Sequence, residues 1–250
     1  MLFSRQEGSI VSLVYDGKEW IGKPLMPVYW RATTDNDKGN KFSVTSSVWY
    51  GAGRFPHYSN ENCAVEEGDG VIKVTYTYEL STIPKAVTEV SYEVDGSGKI
   101  KVKAIFHGQK GLPQLPVFGM RLITPDGAKS FTWYGKGPEE NYCDRNDGAR
   151  LGIYKDSPES NLSRYLVPQE CGNRTGVRWL KLTDAKGHSI GFRSAGQAFD
   201  ASVLPYTAEE LECATTERAS GPRYTGKYSG SHERCGETTA GVHRFIRSTV

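Results

Sequence analysis

The chain has 250 residues, 37% apolar and 11% aromatic, with 14 Tyr, 5 Trp, 28 Gly and 12 Pro. That is the composition of one large turn-rich β domain or two ordinary ones. A formal charge of +2 without a stripe of Lys and Arg excludes a strong nucleic-acid field, and no apolar stretch is long enough to cross a bilayer as a helix.

The first hairpin is written in Gly8 to Ile21, where two short strands flank Asp16-Gly17, a dipeptide that tolerates the positive φ angles of a tight turn. Val71 to Tyr78 alternates with a period of two. Ile72, Val74, Tyr76 and Tyr78 share one face, and Val71, Lys73, Thr75 and Thr77 share the other. Val90 to Phe106 repeats the device around Asp95-Gly96-Ser97-Gly98, setting Ile100, Val102, Ala104 and Phe106 opposite Lys99, Lys101 and Lys103, which read as a solvated sheet face. Further strands are expected at Phe118 to Ile123, Ser130 to Tyr134, Val177 to Leu182 and Ser189 to Arg193, the last two around Asp184-Ala185-Lys186-Gly187. One short helix is signalled over Ala208 to Cys213, with Thr207 as its cap and Glu210 completing a capping box. No helical period long enough for a βαβ crossover is present, so the strands are expected to be antiparallel. The fold class is therefore all-β: a large antiparallel β-supersandwich of two sheets packed face to face, with a concave face and few short helices.

Three polar loops stand out. Tyr29 to Asn40 packs Trp30, Arg31, Asp35, Asn36 and Asp37 together, a set able to hydrogen-bond sugar hydroxyls or hold a cation. The plainer reading is preferred: the acidic and amide groups bond to their own turn while Arg31 pairs with a carboxylate. Trp133 to Arg145 runs from a strand end into a loop containing Glu140, Asn141, Tyr142, Asp144 and Arg145; its adjacent Glu139 and Glu140 diverge on an extended backbone and make a poor acid and nucleophile pair. Leu166 to Arg174 contains Cys171, which has no histidine nearby in sequence and is not expected to be a nucleophile. Five cysteines, odd in number and never in a Cys-x-x-Cys pair, argue against a zinc site or disulfide framework. The five histidines sit singly and are not expected to ligate metal.

These loops in this order, YWRATTDNDKGN, WYGKGPEENYCDR followed by GARLG, and LVPQECGNRTGVRW with the later LPYTAEELE, resemble the C-terminal domain, or small chain, of family-two glycoside hydrolase β-galactosidases. That region is galactose mutarotase-like, and the likeness covers about residues 8 to 213. The resemblance implies the carbohydrate-binding or structural part of an enzyme that hydrolyses terminal, lactose-type β-galactosides. The catalytic glutamates and Mg²⁺ or Na⁺ belong to a (β/α)₈ barrel, for which this chain has no room. The chain is thus expected to have no catalytic residue, metal or cofactor of its own and to be inactive alone. Its expected partners are the barrel domain and, weakly, a galactose-containing sugar, but neither nucleic acid nor membrane. The ten loop residues named above, Trp30 through Asp37 and Glu140 through Arg145, are its candidates for sugar or domain contact. The parent enzyme is expected to be a homo-oligomer, cytoplasmic rather than periplasmic. Two other classes are a free-standing carbohydrate-binding or aldose-epimerase-like module and a purely structural module that completes an oligomer. An epimerase needs an acid and base pair in a concave sheet, and neither His107 nor His188 has an obvious carboxylate partner in sequence.

Two expectations concern the ends. Family members run a strand into the Phe3 to Gly8 region, of which Met1 leaves a stub, so an unpaired edge and a chain cut from a longer enzyme are expected. Residues 1–213 form the recognisable domain, whereas 214–250 carry six Lys and Arg against three Glu and few large aliphatics. A buried closing strand is not expected from such a composition. Back-translated from the third base of the Glu237 codon, the stretch to Thr249 permits Asp-Asp-Ser-Trp-Gly-Ala-Pro-Val-His-Pro-Glu-Tyr, resembling the family's sugar-platform loop. One-base shifts of Gly230 to Gly236 and of Arg218 to Gly221 permit Gly-Ala-Met-Asn-Gly-Val-Gly and Glu-Leu-Pro. The tail therefore reads as part of the same domain in a shifted frame.

Overall fold

Asp16 and Gly17 take φ of 51° and 73°, the left-handed pair that a two-residue hairpin turn requires. Around this turn the computed structural model, which describes residues 1–58 and 60–214 and the backbone of 238–243, begins with four short strands. They are β1 (Leu2–Ser4), β2 (Ser9–Ser12), β3 (Val14–Tyr15) and β4 (Lys18–Glu19). Among the described residues β1 pairs with β2 alone, leaving its other edge open.

β5 (Lys23–Val28) leads into three helices that periodicity did not announce: α1 (Asp35–Gly39), α2 (Phe42–Thr45) and α3 (Val48–Arg54). α1 forms because Thr34 is its N-cap. The Thr34 hydroxyl accepts the Asp37 N–H at 3.2 Å, while the Asp37 carboxylate accepts the Thr34 N–H at 2.9 Å.

Next comes the meander β6 (Cys63–Gly68), β7 (Val71–Glu79), β8 (Val87–Asp95) and β9 (Ile100–His107). Val74, Tyr76 and Tyr78 are buried as the alternation demands, but Ile72, two residues past the Asp69-Gly70 turn near one end of the strand, is 46% exposed. Outward-facing Lys73 pairs with Glu66 at 3.1 Å and Lys101 with Glu93 at 2.9 Å, a solvated cross-strand ladder.

The remaining elements are β10 (Gly119–Thr124), β11 (Ser130–Gly137), β12 (Arg150–Asp156), β13 (Asn173–Val177), β14 (Trp179–Thr183), β15 (Ser189–Arg193), β16 (Phe199–Leu204), α4 (Ala208–Cys213) and β17 (Thr238–His243). They form a five-stranded sheet of order β13-β16-β17-β10-β5 and a four-stranded sheet of order β12-β11-β14-β15. Every pairing described is antiparallel. Among the described residues the sandwich thus has three larger sheets rather than two continuous ones. Their inner faces share one aromatic core, in which Trp49, Trp133, Tyr29, Tyr76, Tyr78, Tyr92 and Phe131 are fully buried. Two of the buried hydroxyls are matched, Tyr29 donating to Thr88 at 2.7 Å and Tyr78 to the Gly8 carbonyl, whereas that of Tyr76 has no partner among the described residues.

Two expectations are corrected. The strand expected over Val177 to Leu182 is divided at Arg178, whose N–H turns to the Tyr134 carbonyl at 2.8 Å and whose carbonyl accepts from Ser194 at 2.9 Å. The chain changes sheets there, β13 ending in one and β14 starting in the other. The tail, from which no closing strand was expected, places β17 between β10 and β16, with Val242 opposite Met120 and Ala201. Two neighbouring strands offer rows of backbone donors and acceptors to any extended segment between them, and that pairing does not depend on large aliphatics. The rest of residues 215–250, including the remainder of the shifted-frame reading, lies outside the described residues.

Candidate functional site

The three polar loops meet. In the first, Arg31 grips Asp37 with both terminal nitrogens, at 2.5 and 3.0 Å, and its guanidinium lies 5.8 Å from the Phe42 ring. Burial opposes the charge on Asp37, but the bonds from Arg31 and Thr34 outweigh it and hold the carboxyl below its usual range. Asp35 reaches the third loop: its N–H donates to Gln169 Oε1 at 3.2 Å, and Gln169 Nε2 donates to its carboxylate at 3.1 Å. Asn36 and its side chain are exposed. Trp30 is buried edge-on to Tyr50 at 5.6 Å, and its indole N–H has no acceptor among the described residues.

Glu140 is the hub of the second and third loops. Its carboxylate accepts from Arg145 at 2.8 Å, Tyr165 at 2.5 Å, Ser163 at 2.8 Å and the Gly172 N–H at 2.7 Å. Burial disfavours its charge, yet these donors keep the carboxyl below its ordinary value. Asn141 is buried and bridges the same loops: Oδ1 accepts from the Thr175 N–H at 2.9 Å and hydroxyl at 2.6 Å, and its N–H donates to the Asn173 carbonyl at 2.8 Å. Tyr142 lies under the Arg145 guanidinium at 5.2 Å, with its hydroxyl buried and unbonded among the described residues, and burial pushes its ionisation well up. Asp144 and Arg145 are exposed.

Asp37 bonds within its own turn and pairs with Arg31, whereas Asp35 reaches Gln169 and Glu140 joins the second and third loops, so these three carboxylates hold the loops together while Asp144 stays exposed. Several members of the network were not singled out. Thr33 donates its N–H and hydroxyl to Glu212 of α4 at 2.6 and 2.7 Å, and Arg121 of β10 pairs with Glu209 of α4 at 2.6 Å. Glu170 accepts no hydrogen bond among the described residues; burial pushes its carboxyl up to about 7, Arg31 working against that and Glu140 and Asp37 adding to it. It borders a cavity of about 40 Å³ with Trp30, Arg31, Arg121 and Tyr206, room for water but not for a sugar. The open cleft of about 490 Å³ over Gly137 to Ala149, lined by Glu139, Asp144, Arg145, Asn146 and Asp147, is of ligand size.

Histidine pairing is a correction. His188 Nδ1 lies 3.0 Å from Asp184, which also pairs with Lys18 at 3.0 Å, and His107 Nε2 lies 3.4 Å from Glu89. The first pair forms because Asp184 accepts the N–H groups of Lys186 and His188 in its own turn, and the second because β8 and β9 adjoin. His107 and Glu89 are both about half exposed and decorate a solvated face. Cys171 is buried, and that burial pushes its thiol up to about 12, the inert end of cysteine chemistry.

Residues 1–227 match the family described as "Beta galactosidase small chain". A β-galactosidase of Halalkalibacterium halodurans is 44% identical over 218 residues, covering 86% of this chain and 21% of that protein. One from Clostridium acetobutylicum is 49% identical over 154 residues, 62% of this chain and 17% of its own length. A β-galactosidase small subunit of Latilactobacillus sakei is 38% identical over 242 residues, 86% of this chain and 76% of the relative. The chain thus spans about a fifth of the two longer relatives and three quarters of the small subunit. With its sheets, its three interlocked loops and this match along most of its length, the chain belongs to the β-galactosidase small-chain family.

Proposed function

We propose that the chain is the non-catalytic β-sandwich part of a β-galactosidase, and that it assembles with a separate catalytic part to act on terminal β-galactosides. The observation that carries this reading is the state of the carboxylates. Glycoside hydrolysis needs two carboxyl groups facing one bond, one of them free to give a proton. Here Asp37 and Glu140 are held ionised by internal donors, and Glu170, whose carboxyl is raised, borders a cavity too small for a sugar ring. The interlocked loops then serve as a rigid buttress. The open cleft beside Asp144 and Arg145 offers galactose polar contacts without enclosing it, so binding by the chain alone is weak.

The test is turnover of a chromogenic galactoside by the purified chain, with and without the large subunit that accompanies a small subunit such as that of Latilactobacillus sakei. No hydrolysis above background alone, and hydrolysis on mixing, is expected. Turnover by the pure chain overturns the reading.

A further inference from the structure

We propose that the outward face of the sheet β12-β11-β14-β15 is the surface that docks the catalytic part of the enzyme, through an acidic patch on that partner; this rests on the reading above. Along β11, Phe131 and Trp133 enter the core, so Thr132, Tyr134 and Lys136 point the other way. The register sets Tyr134 opposite Ile153 of β12 and Trp179 of β14, and Trp179 opposite Arg193 of β15. One apolar row, ending in a cation, crosses all four strands. The Tyr134 and Trp179 rings are 6.4 Å apart, and Ile153 and its neighbour Leu151 are 66% and 50% exposed.

Around that row the charge has one sign. Lys155 and Lys181 flank Thr132 in the next row, and Arg178 lies over the Tyr134 ring at 5.2 Å. The outward positions of these four strands carry no Asp or Glu. Lys155, Lys181 and Arg193 form no ion pair among the described residues. The outward face of the meander β6 to β9 is the internal contrast. There three of the four outward cations of the strands, Lys73, Lys101 and His107, are each matched by a glutamate, Lys103 being the exception among the described residues.

Exposed aliphatic side chains beside half-buried aromatic ones, ringed by unmatched cations, fit a partner that is apolar at its centre and acidic at its rim. The partner is a protein surface because Leu151 and Ile153 offer nothing to sugar hydroxyls or phosphates. It is the catalytic part because the chain spans only a fifth of its full-length relatives, whose remainder must meet it somewhere.

The test uses the full chain and the large subunit partnered by the Latilactobacillus sakei small subunit, with that small subunit as positive control and binding followed by interferometry. The variant carrying Lys155→Glu, Lys181→Glu and Arg193→Glu is expected to bind at least tenfold more weakly than the unaltered chain, and Lys99→Glu with Lys103→Glu to bind as the unaltered chain does. Circular dichroism and melting check that both remain folded. Independently, hydrogen exchange in the unaltered complex is expected to slow in β12 and β14. Equal binding by the triple variant overturns the docking face and leaves the proposed function standing. An unaltered chain that fails to bind where the control succeeds overturns both. Loss in the triple variant of heparin binding or of self-association, with large-subunit binding retained, assigns the face to a polyanion or to a second copy and also overturns the proposal.

Discussion

Glu140 and Glu170 sit in adjoining loops and respond to pH in opposite senses. Removing the Glu140 carboxylate leaves a guanidinium, two hydroxyls and the Gly172 amide without their acceptor, so Glu140→Ala is expected to cost about 3–4 kcal/mol in urea unfolding. Because its folded pKa lies below the ordinary 4.5, the stabilisation is present above that value and is lost as pH falls through the folded one. Glu170 has a folded value of about 7. Between about 4.5 and 7 the folded state keeps a proton that the unfolded state has released, so stability falls as pH rises through that window. Glu170→Gln is therefore expected to match the unaltered protein at pH 4.5 and to exceed it at pH 8 by about 1–2 kcal/mol, allowing for partial solvent contact. A gap of equal size at both pH values would show that the carboxyl is not raised.

Short elements decide whether the loops stay locked. α4 carries Glu209 and Glu212, which hold Arg121 and Thr33, and it is started by Thr207 and Glu210 in a capping box. Thr207→Ala is expected to cost about 1 kcal/mol in thermal or urea unfolding, as for other lost N-caps. Gly172 takes φ of 72°, and a Cβ there would lie 2.7 Å from Asn161 Nδ2 and 2.9 Å from the Asn161 carbonyl. Gly172→Ala is expected to cost more, about 2–3 kcal/mol in the same measurement, since the backbone that must move also donates to Glu140. Legibility follows the physics of each element. The alternation of β7 and the Thr207-to-Glu210 cap were readable because they are local. The helices α1 to α3, of 5, 4 and 7 residues, are too short to establish a helical period, although Thr34 and Asp37 had the spacing of a cap. The division at Arg178 shows as a slip in phase, Val177 and Leu180 being buried three apart, which is interpretable only once burial is known. The loop residues were readable as a polar set. Their pairings were not, because Glu140 finds Gly172 thirty-two positions away, and nothing around Glu170 in sequence marks it as lacking a donor.

Over the whole molecule, the weakest agreement between sequence and position is at β17. A strand with neighbours on both sides ordinarily carries large apolar residues on both faces, whereas Thr238-Thr239-Ala240-Gly241-Val242-His243, although half β-branched, has one large aliphatic, no Phe, Tyr or Trp and a glycine in its middle. The family match stops at residue 227, before this strand begins. The central place of β17 between β10 and β16, and a family match that runs past Arg218, both count against a tail written in a shifted frame, so we keep that reading only as a proposal to be tested. A chain in which the segment from Arg218 onward is replaced by the shifted reading, with Glu-Leu-Pro, Gly-Ala-Met-Asn-Gly-Val-Gly and Asp-Asp-Ser-Trp restored in order, is expected to melt higher. A gain of about 2 kcal/mol corresponds to roughly 4–8 °C at this chain length. Resequencing the gene is the independent check, expected on that reading to reveal small insertions or deletions near the codons of Arg218 and Glu237. A restored chain that melts no higher, together with a gene that reads through unchanged, makes the tail a divergent strand of this domain in its own right.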